Sequence, residues 1–282
     1  MRLPTPLAPL GLALLACGTP ADQAPAPPPP AAVEPAQPPP PPPPAFVARQ
    51  IGSAEEWRRV RDSLGPAGVR EVFRLNRIDV AHVQAGDSIV LHAPGRDPAA
   101  YVPFPSELPA AAADSTFLVV DQRVQAWAAY ERGSLVRWGP TSTGTRATPT
   151  PNGLHHVTWK SKLRRSTEDS TWILPFAINI HNLRGISLHQ YALPGYPASH
   201  ACARLLMDDA EWLYGWVETW ALTRDGNEVA RTGTPVLMMG EYAWDLPGPW
   251  RRVTEAPDAA TVTLAELEAA LTDRRTDRQA SR

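Results

Sequence analysis

A chain of 282 residues is long enough for one sizeable core with a smaller unit beside it, since single cores close at roughly 100–200 residues. Its formal charge of −2, with both signs interspersed, leaves no broad basic field to gather DNA or RNA, so nucleic acid is not expected as a partner. The 33 prolines are too many for a uniformly folded chain, and their bunching between Ala24 and Pro44 marks a compositional boundary.

At the N-terminus, Arg2 and a short apolar run from Leu7 lead into Leu14-Leu15-Ala16-Cys17, a targeting segment too short to span a bilayer. It resembles a bacterial lipobox. That resemblance implies a signal peptide over residues 1–17 and a lipidated Cys17 as membrane anchor. With Gly18 and not aspartate next, it further implies attachment to the outer membrane on the periplasmic side; a plain cleaved signal and a simple membrane span are the alternatives. Residues 18–45 are mostly Pro, Ala and Gln and favour polyproline II. At about 3.1 Å per residue, roughly 25 of them reach about 75 Å, as a spacer into the cell-wall layer or as a passive linker.

Residues 46–97 read as a small α+β module. Trp57, Val60 and Leu64 fit a short helix over 54–64 that Gly65-Pro66 stops. Val72 to Asp79, then Ala85-Gly86-Asp87 leading into Ser88-Ile89-Val90-Leu91, resemble the second half of a LysM repeat, which implies contact with glycan strands; a bland helix–strand packing unit is the other reading. From 112 to 245 short β-branched and aromatic runs predict strands at 116–120, 124–130, 134–138, 154–159, 172–179, 185–190 and 235–239. The fold class is therefore mainly β with added helices. One helix is expected after Asp208-Asp209, which would cap it, with Ala210, Leu213, Tyr214, Val217 and Trp220 on one face. The tryptophans read as core and not as sugar platforms. In the tail, 246–282, Leu264 to Leu271 suits a short helix and the charged stretch from Thr272 is expected to be disordered.

The chemistry concentrates in Gly185-Ile186-Ser187-Leu188-His189-Gln190 and, after a Pro/Gly-rich loop, Ser199-His200-Ala201-Cys202-Ala203-Arg204. This pair of blocks resembles the YkuD signature of L,D-transpeptidases, a histidine at a strand end followed about a dozen residues later by Ser/Thr-His-Gly-Cys and an Arg or Asn. Upstream, Ser142-Thr143-Gly144 and Thr148-Pro149-Thr150-Pro151-Asn152-Gly153 resemble the family's Ser-Thr-Gly and Thr-Pro-Thr-Gly stretch, which leads into a strand bordering the site. The resemblance spans roughly 117–239. It implies a β-sandwich-like catalytic domain acting on peptidoglycan stem peptides, with Cys202 as nucleophile, His189 as base and His200 lining the site. A backbone carbonyl at Gln190 would fix the His189 tautomer, and amides around Ala201 and Cys202 would serve the oxyanion. Arg204 would order the loop or meet a substrate carboxylate, and Ser199 would brace the loop.

Physically, an isolated thiol is only a few per cent thiolate at neutral pH, so acyl transfer needs a partner that takes its proton, and an imidazole does so. The family's glycine before the cysteine is Ala201 here; if the backbone there requires positive φ, alanine carries strain of order 1 kcal/mol. No cofactor is implied. His181, His189, His200 and Cys202 lack the spacing of a metal site, and adjacent His155 and His156 in a strand face opposite sides. Three functions stay open: a transpeptidase forming cross-links, a hydrolase of the same fold, and a non-catalytic wall-binding lipoprotein.

Overall fold

The structure, a computed structural model, describes residues 45–280; the lipobox with Cys17 and the Pro-rich stretch up to residue 44 lie outside the described residues. The described chain begins with strand β1 (Phe46–Gln50), helix α1 (Ala54–Asn76) and strand β2 (Ser88–His92), the two strands pairing antiparallel. Ser53 opens α1 by accepting a hydrogen bond from Glu56 N, while the Glu56 carboxylate accepts from Gly52 N, so both ends of the cap are satisfied. Gly65 (φ 64°, ψ 177°) ahead of Pro66 breaks the helix into two segments, because proline clashes with a preceding helical residue. Asn76 ends the second segment: its Nδ2 donates to Val72 O and Val90 O and its Oδ1 accepts from Val90 N, clamping helix to strand.

This N-terminal unit shares its core with later parts of the chain. Ile51, Trp57, Val60, Val72 and Ile89 form a local cluster, whereas Phe46, Leu75 and Val90 belong to the large cluster with Phe104, Tyr130, Trp138 and Trp250. Arg77 is fully buried between the Trp138 and Trp250 rings, and its Nε donates to Val124 O. Strand β1 was not legible beside the prolines; it forms because Phe46 fills that shared core.

The next element is a five-stranded sheet, built from β3 (Phe117–Asp121), β4 (Ala126–Glu131), β5 (Ser134–Pro140) and β6 (Gly153–His156), and completed by a late strand at Pro235–Met239 that inserts between β3 and β6. A four-stranded sheet comprises β7 (Lys160–Arg165), β8 (Ile173–His181), β9 (Ile186–Gln190) and β10 (Ala203–Leu205), with β10 parallel to β9. Helix α2 (Met207–Trp216) leads to a small hairpin of β11 (Ala221–Leu222) and β12 (Val229–Arg231), then to the inserted strand, β13 (Pro235–Met239), and finally to helix α3 (Leu264–Ala280). The mainly β class expected from the sequence is what the chain adopts.

Leu118, Val120, Trp127, Val236 and Met238 from the first sheet meet Ile178, Ile186, Leu188, Ala203 and Leu205 from the second, with Ala210, Leu213 and Val217 beside them. The first sheet's other face, through Phe117, Val119, Ala128, Tyr130 and Leu237, packs on the N-terminal unit and the tail. Coverage of both faces explains why Phe117 to Val120 reads as a continuous apolar run and not an alternating one.

Several elements differ from expectation. The strand foreseen at 154–159 stops at His156 because Val157 and Thr158 cross between sheets, Val157 N donating to Thr234 O and Thr158 N to Asn179 O. Helix α2 ends at Trp216, leaving Trp220 outside, and Asp208-Asp209 do not cap it; Asp209 is buried and pairs instead with Arg137 at 2.7 Å. In the tail, the helix expected over Leu264 to Leu271 is longer. Trp250, Val253, Val262, Leu267 and Leu271 enter the large core, and α3 continues through the charged stretch to Ala280, since no Gly or Pro interrupts it.

Candidate active site

Strands β9 and β10 place the signature residues. Ala203 lies opposite Leu188 and Arg204 opposite His189, and alternation sends Ile186, Leu188, Ala203 and Leu205 into the core. Ser187, His189, Cys202 and Arg204 fall on the other face, where all line one cavity of about 560 Å³. Cys202 and His189 are thus brought to the same cavity by register.

His189 is 4% exposed, and its Nδ1 lies 2.9 Å from Gln190 O. A carbonyl only accepts, so Nδ1 carries the proton and Nε2 keeps its lone pair. Burial, with a further push from Arg204 against the opposing Gln190 bond, brings the imidazole down to about 4, so it is neutral at physiological pH. The half-buried Cys202 thiol is pushed up by burial, while a Ser187 backbone hydrogen bond and Arg204 pull it down and Glu168 adds to the rise. Its Sγ is 4.0 Å from Gly185 O. The cavity at rest accordingly holds a neutral thiol and a neutral imidazole.

The loop before β10 is braced by the upstream threonine-rich blocks. Ser199 N donates to Thr143 O, Thr145 N and Thr148 Oγ1 donate to Ser199 O, and Thr150 Oγ1 donates to Ala201 O. Ser199 Oγ in turn donates to Cys202 O. Gln125, fully buried, fixes Thr143 by donating to its Oγ1 and accepting from its N. Ala201 has φ 70°, the left-handed region that glycine adopts more readily, so its alanine carries the anticipated strain. In one respect the blocks act differently from expectation: the strand they lead into, β6, lies in the other sheet, and none of its residues lines the cavity.

Arg204 donates to Ala192 O at 3.3 Å and lies over the Tyr191 ring. His200 is exposed at the cavity rim, its ring 6.3 Å from that of Trp172. The sequence did not single out the wall formed by β7, β8 and their connecting turn, which contributes Trp159, Arg164, Glu168, Trp172 and Asn179. Asn179 pairs with Ser187 across β8 and β9 and donates to its Oγ at 3.3 Å. The alternation Ser187-x-His189 was a readable signal for Ser187; the charged run Lys160 to Arg165 gave none.

Residues 115–238 match the YkuD family, the L,D-transpeptidase catalytic domain. This stretch is a YkuD domain. It contains both faces of the Cys202 cavity and all strands from β3 to β12. Solved structures similar to the chain include L,D-transpeptidases from Stackebrandtia nassauensis (22% identity, 46% of this chain, 58% of that one, TM-score 0.38) and Enterococcus faecium (a mutant; 22%, 45%, 50%, 0.36). Another is L,D-transpeptidase 1 of Mycobacterium tuberculosis (18%, 45%, 62%, 0.34). The chain spans less than two thirds of the length of each. No curated protein matches it.

Proposed function

We propose that the YkuD domain is a peptidoglycan L,D-transpeptidase working through a thioester on Cys202. The observation that carries this reading is the common cavity of Cys202, His189 and Arg204, with the Gln190 carbonyl leaving His189 Nε2 free to accept a proton. As the Cys202 sulfur attacks the carbonyl between the L-centre of diaminopimelate and terminal D-alanine, its proton passes to His189 Nε2. The imidazolium then protonates the departing D-alanine amine, the C–N bond breaks and a thioester remains. The amides of Ala201 and Cys202 are the oxyanion donors; their carbonyls, held by Thr150 Oγ1 and Ser199 Oγ, fix the orientation of that backbone. The amine of a second stem displaces the sulfur to give a cross-link, and water in its place gives a shortened stem. Arg204 serves a substrate carboxylate through its planar fork, and His200 lines the entrance.

Lipidated Cys17 and the Pro-rich spacer would hold this domain at the outer membrane with reach into the wall. Residues 46–97 would add a glycan contact, a reading supported by Asn76 at the helix end and the Gly86-Asp87 turn (Gly86 φ 97°) into β2.

The test is mass spectrometry of muropeptides incubated with the purified protein and with Cys202→Ala. A new dimer that disappears in the variant supports the transpeptidase. A shortened stem alone assigns a hydrolase of the same fold, and unchanged muropeptides with both proteins leave a wall-binding role.

A further inference from the structure

The turn between β7 and β8 is internally laced. Glu168 N donates to Ser166 Oγ at 3.1 Å, Ser166 N to Trp172 O at 2.9 Å, and Trp172 N to Asp169 O at 3.0 Å. Asp169 Oδ1 accepts from Thr171 N and Thr171 Oγ1, and those bonds hold its carboxyl below the ordinary range. Asp169 is thereby committed to the turn. Glu168, its exposed neighbour, instead lines the cavity.

Among the described residues lining that cavity, Arg164, Arg165, Arg184 and Arg204 are cationic and Glu168 is the only carboxylate. Yet among the described residues Glu168 forms no salt bridge with any of them. The turn reaches the surroundings of the sulfur: Thr167 Oγ1 lies 3.7 Å from where a Cβ on Gly185 would stand, and the Gly185 carbonyl is the one beside Cys202 Sγ. Glu168 also helps hold the Cys202 thiol protonated, which opposes the first half of the reaction. A carboxylate with that drawback, unpaired amid arginines, is suited to a cation that must arrive at the same place.

We infer that Glu168 binds the acceptor, taking the ammonium of the incoming stem peptide in a charge-assisted hydrogen bond beside the Cys202 thioester, while the arginines serve carboxylates. This rests on the transpeptidase reading above. The bound ammonium releases one proton to solvent, and its nitrogen lone pair forms the new C–N bond as the C–S bond breaks. The second N–H proton passes through His189 Nε2 to the leaving sulfur, which restores the thiol. Water offers Glu168 a neutral hydrogen bond but no charge to pair with, so the residue favours cross-linking over hydrolysis.

The experiment measures donor and acceptor KM separately for the full chain, with a tetrapeptide stem as donor and a diaminopimelate-containing stem as acceptor. Glu168→Gln is expected to raise the acceptor KM by roughly tenfold or more, the size of one hydrogen bond to a charged group, and to raise the donor KM far less. The product ratio should shift toward hydrolysed stem, and Glu168→Asp should recover part of the acceptor affinity. Equal changes in both KM values, or none in either, would overturn the assignment. Wild-type protein that forms the Cys202 thioester but makes no dimer also overturns it while leaving the nucleophile intact; wild-type protein that forms no thioester removes the transpeptidase reading itself.

Discussion

The depressed imidazole of His189 has a consequence for stability that is measurable without any substrate. In the unfolded chain His189 titrates near 6.5, and in the fold at about 4, because a protonated ring 4% exposed loses its hydration. Between those values the unfolded chain binds the proton and the folded chain does not, so acid favours unfolding. The contribution is fully present above pH about 6.5 and is lost as pH falls toward about 4. With these two values the linkage relation gives a loss of about 2.4 kcal/mol between roughly pH 7 and pH 4.5. Other groups contribute too: burial raises Asp121 and Asp209, whose protonation works in the opposite direction. The clean quantity is therefore a difference between proteins. In His189→Asn the amide Nδ2 still donates to the Gln190 carbonyl but does not titrate. Urea unfolding at both pH values should show the variant losing about 2 kcal/mol less than wild type on acidification, whatever its stability at pH 7. Equal losses in the two proteins would mean that His189 is hydrated in the fold, and the buried-base reasoning would fail. Under the proposed mechanism the same depression puts the acidic limb of acylation near pH 4 and not near 6.5, as a pH–rate profile would read.

Two further perturbations probe the framework. A Cβ on Gly144 would stand 2.2 Å from Thr148 O and 2.6 Å from Thr150 N, so Gly144→Ala should destabilise by at least about 2 kcal/mol in denaturant melts. It should also slow carbapenem acylation of Cys202, and a wild-type melt and rate would refute the bracing role of that loop. Arg137→Ala leaves the Asp209 carboxylate buried without its partner and should destabilise by about 3 kcal/mol at neutral pH. That loss should shrink in acid, because burial already raises the Asp209 carboxyl and protonation removes the unpaired charge; a loss independent of pH would assign Arg137 a packing role alone.

The sequence exposed those parts of the fold whose residues face one environment. Phe117 to Val120 and Pro235 to Met239 are apolar because both faces of their sheet are covered, and their strands fall close to where the pattern put them. Lys160 to Arg165 was unreadable because β7 is an edge strand of mostly exposed, charged residues, held by antiparallel pairing with β8, from Lys160 opposite Ile178 to Arg165 opposite Ile173. In the tail the helix over Leu264 to Leu271 was legible but its burial was not, because Leu267 and Leu271 pack against residues distant in sequence. At the site, the motif singled out Cys202, His189 and Arg204, which share one cavity, and raised the condition of positive φ at Ala201, whose φ is 70°. It gave neither Glu168 nor Trp172, because they join the cavity only through the β7–β8 hairpin, and no local periodicity announces a long-range wall.

One alternation carries both the core and the candidate chemistry. In the parallel pair β9 and β10, Ile186, Leu188, Ala203 and Leu205 face the second core, while Ser187, His189, Cys202 and Arg204 face the cavity. A slip of one residue in either strand would exchange the two sets. It would drive an imidazole or a guanidinium into hydrocarbon and expose leucine, isoleucine or alanine, a penalty of several kcal/mol with no compensating bond. Ser142 adds a second lock by pairing with Arg204 through backbone hydrogen bonds in both directions, at 2.9 and 3.2 Å. The juxtaposition of Cys202 and His189 therefore does not depend on their own attraction, which is weak while both are neutral. It is imposed by the apolar residues between them, so both side chains can line one cavity while uncharged.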